Sequence, residues 1–239
     1  MHFNHVMGNI LTERGIGCLP LPPGNPAHKT SGRTLDHVAS VYDLLEPLMM
    51  FGMDRVIRRE VVNLLSLEGS RRILDVGCGT GTLTRQIACA VPDLQRSCVV
   101  GVDAATAMIA VARRKARKLP NIVFEAALAE QLPFTDGSFD RAVSTMFFHH
   151  INFDLKIRAL NEIWRTLGPK GKAVVADVTS PTNLFGTLCA WAGYILFQQA
   201  EIRENIDGKL EEAFGLSRFR QWRTVAHHTG YMSIYELEK

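Results

Sequence analysis

Three glycines follow a short apolar run in the segment 73–82, which reads Ile-Leu-Asp-Val-Gly-Cys-Gly-Thr-Gly-Thr. The run suits a buried parallel strand, and apolar residues recur at helical spacing over residues 83–90. Gly77, Gly79 and Gly81 allow a sharp turn between strand and helix, and they let a ligand approach the main-chain amides. The segment therefore predicts a cofactor-binding loop, with a simple tight strand-to-helix connection as the alternative.

The spacing and charge of this loop distinguish two kinds of cofactor. The dinucleotide fingerprint reads G-x-G-x-x-G, whereas this loop reads G-x-G-x-G with Thr82 in the place of the last glycine. Asp75 precedes the first glycine by two residues, where a carboxylate would repel the pyrophosphate of NAD(P). S-adenosylmethionine carries an ammonium, a sulfonium and one carboxylate, so an acid beside helix-terminal amides suits its amino-acid part. We therefore expect S-adenosylmethionine.

Polar residues also follow later predicted strands. Asp103 ends an apolar run that starts at Cys98, where a carboxylate can accept hydrogen bonds from ribose hydroxyls or cap the next helix. Thr145 ends the fourth predicted strand, and His149 and His150 follow it within about one turn. Imidazole titrates near neutral pH, and adjacent side chains point to different sides. We expect one histidine to face the substrate, and we favour His149 as a general base, with a role in shaping the pocket as the alternative.

With these features the chain resembles the class I S-adenosylmethionine-dependent methyltransferases, and among them the small-molecule group that includes the ubiquinone and menaquinone C-methyltransferases. The resemblance extends from residue 35 to the C-terminus. It rests on motifs that occur in the family's order, namely residues 74–81, 102–104 with Met108, 129–134 with 136–140, and 148–150.

The resemblance implies a set of residues around the cofactor: Tyr42, Asp75, Gly77, Cys78, Gly79, Gly81, Asp103, Ala104, Met108, Leu128, Ala129 and Thr145. Tyr42 belongs to a segment that caps the methionine end in the family, with a buried helix aromatic as the alternative. Cys78 is expected to pack under the ligand. The family's Gly-Asp is replaced here by Ala127 and Leu128, so the usual side-chain acceptor for the adenine amino group is missing. The main-chain groups of Leu128 and Ala129 are then expected to contact the adenine ring.

The predicted fold is a doubly wound, seven-stranded, mostly parallel α/β sheet of the Rossmann-like methyltransferase type, with an antiparallel strand and helical lid additions. Residues 1–34 are predicted to form an N-terminal arm, and residues 35–239 the methyltransferase domain, with a helical lid insertion near 181–207. Within the insertion, residues 184–197 are nearly uncharged and too short for the ~20 residues that cross a bilayer. We expect a lid over the acceptor, with peripheral membrane contact, a homodimer interface or burial under the arm as alternatives.

Composition argues against several other classes. The net charge is only +3, and the one basic cluster, residues 113–118, ends a predicted helix, so we expect a solvated helix end and no nucleic-acid surface. The five cysteines form no CxxC pair and are expected to be reduced thiols in a cytoplasmic protein, without a metal site. The N-terminal sequence has the pattern of neither a secretory signal nor a membrane-spanning start.

The predicted reaction is transfer of the sulfonium methyl group to a small, largely apolar acceptor by in-line displacement. An NAD(P)-dependent oxidoreductase and a non-catalytic cofactor-binding partner subunit are the alternatives.

Overall fold

The computed structural model describes residue 50, residues 52–69 and residues 72–239. The predicted N-terminal arm and Tyr42 lie outside this part of the chain. Within it, seven strands form one sheet: β1 (Arg72–Val76), β2 (Cys98–Asp103), β3 (Ile122–Ala126), β4 (Phe139–Thr145), β5 (Leu167–Val178), β6 (Gln221–His228) and β7 (Met232–Glu238).

The strands are arranged in the order β3-β2-β1-β4-β5-β7-β6. The first five run parallel, and β7 runs antiparallel to both β5 and β6. The chain builds the sheet outward from β1 to β3 and then returns to place β4 on the other side of β1. This reversal opens a crevice at the carboxyl ends of β1 and β4, which is where open α/β sheets bind ligands. The predicted mostly parallel sheet with one antiparallel strand is confirmed.

Helices cover both faces of the sheet. In the part of the chain that the structure describes they are α1 (Asp54–Leu64), α2 (Thr82–Ala90), α3 (Thr106–Lys115), α4 (Phe153–Thr166), α5 (Leu184–Phe197), α6 (Ala200–Ile206) and α7 (Lys209–Leu216), with a 3-10 turn at Phe148–His150.

Successive residues of the central strands enter two different apolar layers. Leu74 of β1 packs in the layer that contains Leu160 of α4 and Phe214 of α7, whereas Ile73 packs in the layer that contains Ile87 of α2. Strands covered on both faces read as nearly continuous apolar runs, which is why the sequence predicted them well. Polar residues are left to the strand ends, and those at the carboxyl edge meet beside β1.

The helix α5 packs on the rest of the fold through its smallest residues. Gly186 lies so close to the main chain of Gly230 that no side chain would fit, and Ala190 is buried. The large apolar side chains point away from this contact. Among the residues that the structure describes, the exposed members of this outer face are Leu184, Phe185, Leu188, Ile195, Leu196 and Phe197. In the same part of the chain, none of the helices combines the length and the hydropathy that crossing a membrane requires.

Candidate active site

The loop between β1 and α2 is fastened to the end of β2 by hydrogen bonds. The N–H groups of Gly77 and Cys78 donate to the carbonyl of Val102, at 2.9 and 3.0 Å. The N–H of Gly79 donates to Oδ2 of Asp103 at 2.9 Å. The glycine loop and the end of β2, which the sequence both assigned to the cofactor, are therefore held together by hydrogen bonds.

The three loop glycines are needed for different reasons. Gly77, Gly79 and Gly81 have φ values of 74°, 52° and 75°, in the left-handed region that glycine favours. A Cβ on Gly77 would lie 2.5 Å from the ring of Phe147, and a Cβ on Gly81 would lie 2.5 Å from the ring of Phe124. No atom lies within 4 Å of the place where Gly79 would carry a Cβ. Gly77 and Gly81 thus allow close packing, whereas Gly79 faces open space.

Asp103 joins the loop to the start of α3. Besides the bond from Gly79, its Oδ1 accepts a hydrogen bond from the Ala105 N–H at 2.8 Å. Ala105 is itself the N-cap residue of α3, so Asp103 lies two residues before the cap. The carboxylate is partly exposed on the cavity wall, where the sequence predicted an acceptor for ribose hydroxyls.

Two neighbouring cavities open at the carboxyl edge, and they share the wall formed by Gly77, Asp103, Ala104 and Phe147. The larger cavity is completed by the glycine loop and the end of β4, and the smaller by the segment after β3. The predicted residues that line one or both are Gly77, Cys78, Gly79, Asp103, Ala104, Met108, Ala129 and Thr145. The predicted residues of the described chain that line neither are Asp75, Gly81, Leu128 and His149.

Asp75 is buried beneath the loop. It is 1 % exposed, and its Oδ2 accepts a hydrogen bond from Thr84 Oγ1 at 2.6 Å, whereas no described residue bonds to its Oδ1. Burial raises the pKa of Asp75 to about 7; the bond from Thr84 opposes this rise, and the charge of Asp103 adds to it. The structure therefore does not support the predicted direct contact between Asp75 and the amino-acid part of the cofactor.

Cys78 has an apolar environment despite its place in the loop. Its side chain packs against the cluster that contains Phe124 and Ala112. Burial, together with the negative charges of Asp75 and Asp103, raises the pKa of the Cys78 thiol well above its usual value. A thiol that stays protonated is a poor nucleophile. The expected packing of Cys78 under the cofactor stays a prediction.

The other cysteines correct one expectation. Cys89 and Cys189 are free thiols, as is Cys78, but Cys98 is disulfide-bonded. Cys18 lies outside the described residues. The expectation that all the cysteines are reduced is therefore wrong for Cys98, and the cytoplasmic location inferred from it stays a prediction.

The basic cluster at the end of α3 does more than face solvent. Lys115 Nζ donates to Thr80 Oγ1 at 3.0 Å and to Thr82 Oγ1 at 2.8 Å, which ties α3 to the glycine loop. Arg113 donates through Nε and Nη2 to the carbonyl of Phe124 in β3. Lys115 thus holds the loop and Arg113 joins α3 to β3, whereas the remaining basic residues of the cluster are exposed as expected.

The two adjacent histidines occupy different environments. His149 is only 6 % exposed, and its Nδ1 lies 2.6 Å from Oδ1 of Asp177. His150 lines the larger cavity, and its Nδ1 lies 3.2 Å from Oε1 of Gln199. The structure therefore places His150 on the cavity and not His149, because a buried carboxylate draws His149 into the interior.

The segment after β3 also differs from the expectation. Leu128 forms an isolated bridge with Gln131 and lines neither cavity. Ala129 and Glu130 line the smaller cavity instead. Leu128 occupies the position of the family's aspartate. The acidic side chain that lines the smaller cavity is that of Glu130, two residues further along the chain.

Several residues on the wall of the larger cavity were not among the predicted site residues, and Arg58, Met146 and Phe147 are three of them. Arg58 reaches it from α1 and is ion-paired with the buried carboxylate of Asp54. Met146 and Phe147 reach it directly after β4, and Met146 has a φ of 53°, which is uncommon for a residue with a side chain. The signal for the last two was their position after a strand end, since their apolar types suggested only packing.

The strand order, the glycine loop after β1, the acid at the end of β2 and the cavity beside the strand reversal together define the fold of the class I S-adenosylmethionine-dependent methyltransferases. Residues 73–171 match the family described as methyltransferase domain. The predicted fold class is confirmed.

The names of two relatives mention ubiquinone or menaquinone. The chain is 38% identical over 148 residues to the ubiquinone/menaquinone biosynthesis C-methyltransferase UbiE of Citrifermentans bemidjiense, a match that covers 61% of each chain. It is 40% identical over 145 residues to the demethylmenaquinone methyltransferase of Thermus thermophilus, covering 60% of this chain and 64% of that one. The match thus spans about three-fifths of the length of these relatives.

The fold is also found in solved structures. The crystal structure of a SAM-dependent methyltransferase from Aquifex aeolicus superimposes with a TM-score of 0.57 at 18% identity, covering 86% of this chain and 99% of that one. The likeness therefore includes the helices and strands on both sides of the matched family segment.

Proposed function

We propose that this protein transfers the methyl group of S-adenosylmethionine to a small hydrophobic acceptor. The observation that carries the proposal is the common opening at the carboxyl edge, where the glycine loop, Asp103 and the residues after β4 meet. The relatives' names, which mention ubiquinone, menaquinone and demethylmenaquinone, favour a quinone-type acceptor. The sulfonium supplies an already activated methyl group, so the chain itself needs to bind, align and deprotonate.

The residues around the two cavities fit that cofactor. The open space at Gly79 lets the main chain approach a ligand closely. Asp103, on the wall of both cavities, is placed to accept hydrogen bonds from ribose hydroxyls. We assign the adenine end to the smaller cavity, where Ala129 frames the ring and Glu130 offers a carboxylate in place of the one that Leu128 lacks.

The acceptor side lies after β4. Met146 and Phe147 provide an apolar wall that suits a hydrophobic molecule. Nδ1 of His150 lies beside Oε1 of Gln199, and in the tautomer in which Nδ1 donates to that oxygen, Nε2 is the basic nitrogen. We assign His150 the role of general base: as the acceptor atom bonds to the methyl carbon and the carbon–sulfur bond breaks, the acceptor's proton passes to Nε2.

The experiment that tests the function combines binding with turnover. We expect calorimetry to show binding of S-adenosylhomocysteine and none of NADH, and a panel of quinols, phenols and amines to be methylated preferentially at a quinol or phenol. In the same assay, His150→Gln should bind S-adenosylhomocysteine normally and lose at least tenfold in kcat. Binding of NADH would contradict the proposal and support an NAD(P)-dependent oxidoreductase. Cofactor binding without methylation of any panel member would support a non-catalytic partner subunit.

We further propose that the outer face of α5 contacts the surface of a membrane. Its exposed residues form an apolar stripe without charge, and a hydrophobic acceptor partitions into lipid, so one surface can bring enzyme and acceptor together. The predicted lid over the acceptor has less support, because none of the α5 residues lines either cavity. Trp191, on the inner side, packs against Arg203 and Tyr194 and so attaches α5 to α6.

A charge on this stripe should abolish the contact. Leu188, which is 69 % exposed, can be replaced by Asp, with Leu216→Asp as the control because Leu216 on α7 is 60 % exposed. We expect Leu188→Asp to reduce co-sedimentation with phosphatidylcholine vesicles at least tenfold, since an apolar side chain leaves lipid and a charge would have to enter it. The control should sediment like the unmodified protein. A change from dimer to monomer by light scattering in Leu188→Asp would identify a homodimer interface instead.

A further inference from the structure

The carboxylate of Asp177 gathers four hydrogen-bond donors beside the cavity without lining it. Its Oδ2 accepts from the N–H groups of Phe147 (2.9 Å) and Phe148 (2.7 Å). Its Oδ1 accepts from Nδ1 of His149 (2.6 Å) and from its neighbour's N–H at Val178 (2.7 Å). The residue lies at the end of β5 and is fully buried.

A buried carboxylate is costly unless it is fully bonded, so its bonds show what it stabilises. Burial acts to raise the pKa of Asp177, but the attraction and hydrogen bond of His149, with the amides of Val178 and Phe148, hold the pKa below its ordinary value. The group is therefore an anion at neutral pH. Three of its four donors belong to the turn that follows β4.

That turn carries the cavity wall. The ring of Phe147 lines both cavities, and His150 lines the larger one. The N–H of His150 donates to the carbonyl of Phe147 at 3.0 Å, so the position of one residue determines that of the other. Met146, just before the turn, adopts its left-handed conformation while its N–H donates to the carbonyl of Ala176 at 2.8 Å.

The far side of the turn is held from a second direction. Lys156 of α4 is fully buried, and its Nζ donates to the carbonyl of Ile151 at 2.6 Å and to Glu204 of α6 at 2.8 Å. Gln199 precedes α6 and lies beside His150. The turn is thus clamped between the end of β5 and the α4–α6 pair.

We propose that Asp177 and His149 are positioning residues for methyl transfer: the buried pair holds the turn so that Phe147 closes the cofactor wall and His150 faces the acceptor. The proposal rests on the proposed function. It gives His149 a role as a hydrogen-bond donor to a carboxylate, in place of the general base that the sequence suggested.

Two substitutions of one residue separate the roles that His149 can have. His149→Asn keeps an N–H donor near the position of Nδ1 but has no basic nitrogen, whereas His149→Leu removes both. A positioning role predicts that His149→Asn keeps at least a third of the unmodified kcat and that His149→Leu loses at least tenfold. A general base predicts that both lose activity.

Asp177→Asn tests the other partner, because an amide nitrogen cannot accept a hydrogen bond from the turn. We expect at least a tenfold fall in kcat. The matched control is Asn121→Ala, since Asn121 is also fully buried and bonded, to the carbonyl of Ala88, but lies before β3 at the opposite edge of the sheet. It should lower the melting temperature and leave kcat unchanged.

The outcomes distinguish the proposal from the function on which it rests. An unmodified protein without methyl transfer on the panel overturns the function. An active protein in which His149→Leu lowers the melting temperature but leaves kcat unchanged, like the control, overturns the positioning role. If Asp177→Asn does not fold, the two His149 variants alone decide between the roles, with S-adenosylhomocysteine binding as the check on folding.

Discussion

Gly77→Ala is expected to lower the free energy of unfolding by about 2 to 5 kcal/mol. The left-handed backbone, with a φ of 74°, costs a residue that has a Cβ about 1–2 kcal/mol. The Cβ would lie 2.5 Å from Cγ and Cδ2 of Phe147, and overpacking of this kind costs about 1–3 kcal/mol. Phe147 cannot withdraw freely, because its N–H is bonded to buried Asp177. Urea denaturation measures the change.

The neighbouring glycine supplies the control. Gly79→Ala meets no atom within 4 Å, so only the backbone term of about 1–2 kcal/mol should appear in its stability. Its methyl group would project into the space assigned to the cofactor, and we expect the affinity for S-adenosylhomocysteine to fall at least tenfold by calorimetry. Equal losses of stability in the two variants would show that the contact with Phe147 is not what excludes a side chain at Gly77.

Asp75→Asn is expected to change how stability depends on pH. The folded pKa of about 7 lies above the ordinary value of 3.8, so between these values the folded protein holds a proton that the unfolded chain has released. The stability due to this proton is complete below about pH 4 and is lost as the pH rises through 7. From pH 5 to pH 8, the free energy of unfolding of the unmodified protein should therefore fall by about 3 kcal/mol relative to Asp75→Asn.

Thr84→Val provides a directional check on that interpretation. The Thr84 hydroxyl donates to Asp75 and holds its pKa down, so its removal should move the loss of stability to higher pH. Urea denaturation at several pH values follows both variants. A difference between unmodified protein and Asp75→Asn that stays constant with pH would contradict the raised pKa.

The sequence predicted the framework of the site because that framework is local. The central strands are apolar on both faces, and the glycine loop has a spacing that differs from the dinucleotide pattern. Asp103 could be placed for the same reason, since an acid that directly ends a strand must appear at the carboxyl edge. These inferences need no knowledge of which distant segments meet.

The errors arose where a distant partner decides the position of a side chain. His149 and His150 are equivalent in sequence, and the carboxylate that separates them, Asp177, lies 28 positions after the first. Asp75 was expected beside the cofactor from its charge and from the resemblance, but it is buried and accepts a hydrogen bond from Thr84 of the following helix. The exposure of α5 could not be read from its composition either, because it depends on a contact between Gly186 and a turn far along the chain.

Phe147 stands between the two cavities and belongs to the wall of each. A ligand that shifts this ring on one side alters the shape offered to a ligand on the other, so the two binding free energies are not independent. Linkage requires the effect to be mutual: the factor by which the first ligand changes the affinity of the second equals the factor in the opposite direction. The placement of a single aromatic side chain therefore couples occupancy of one cavity to occupancy of the other.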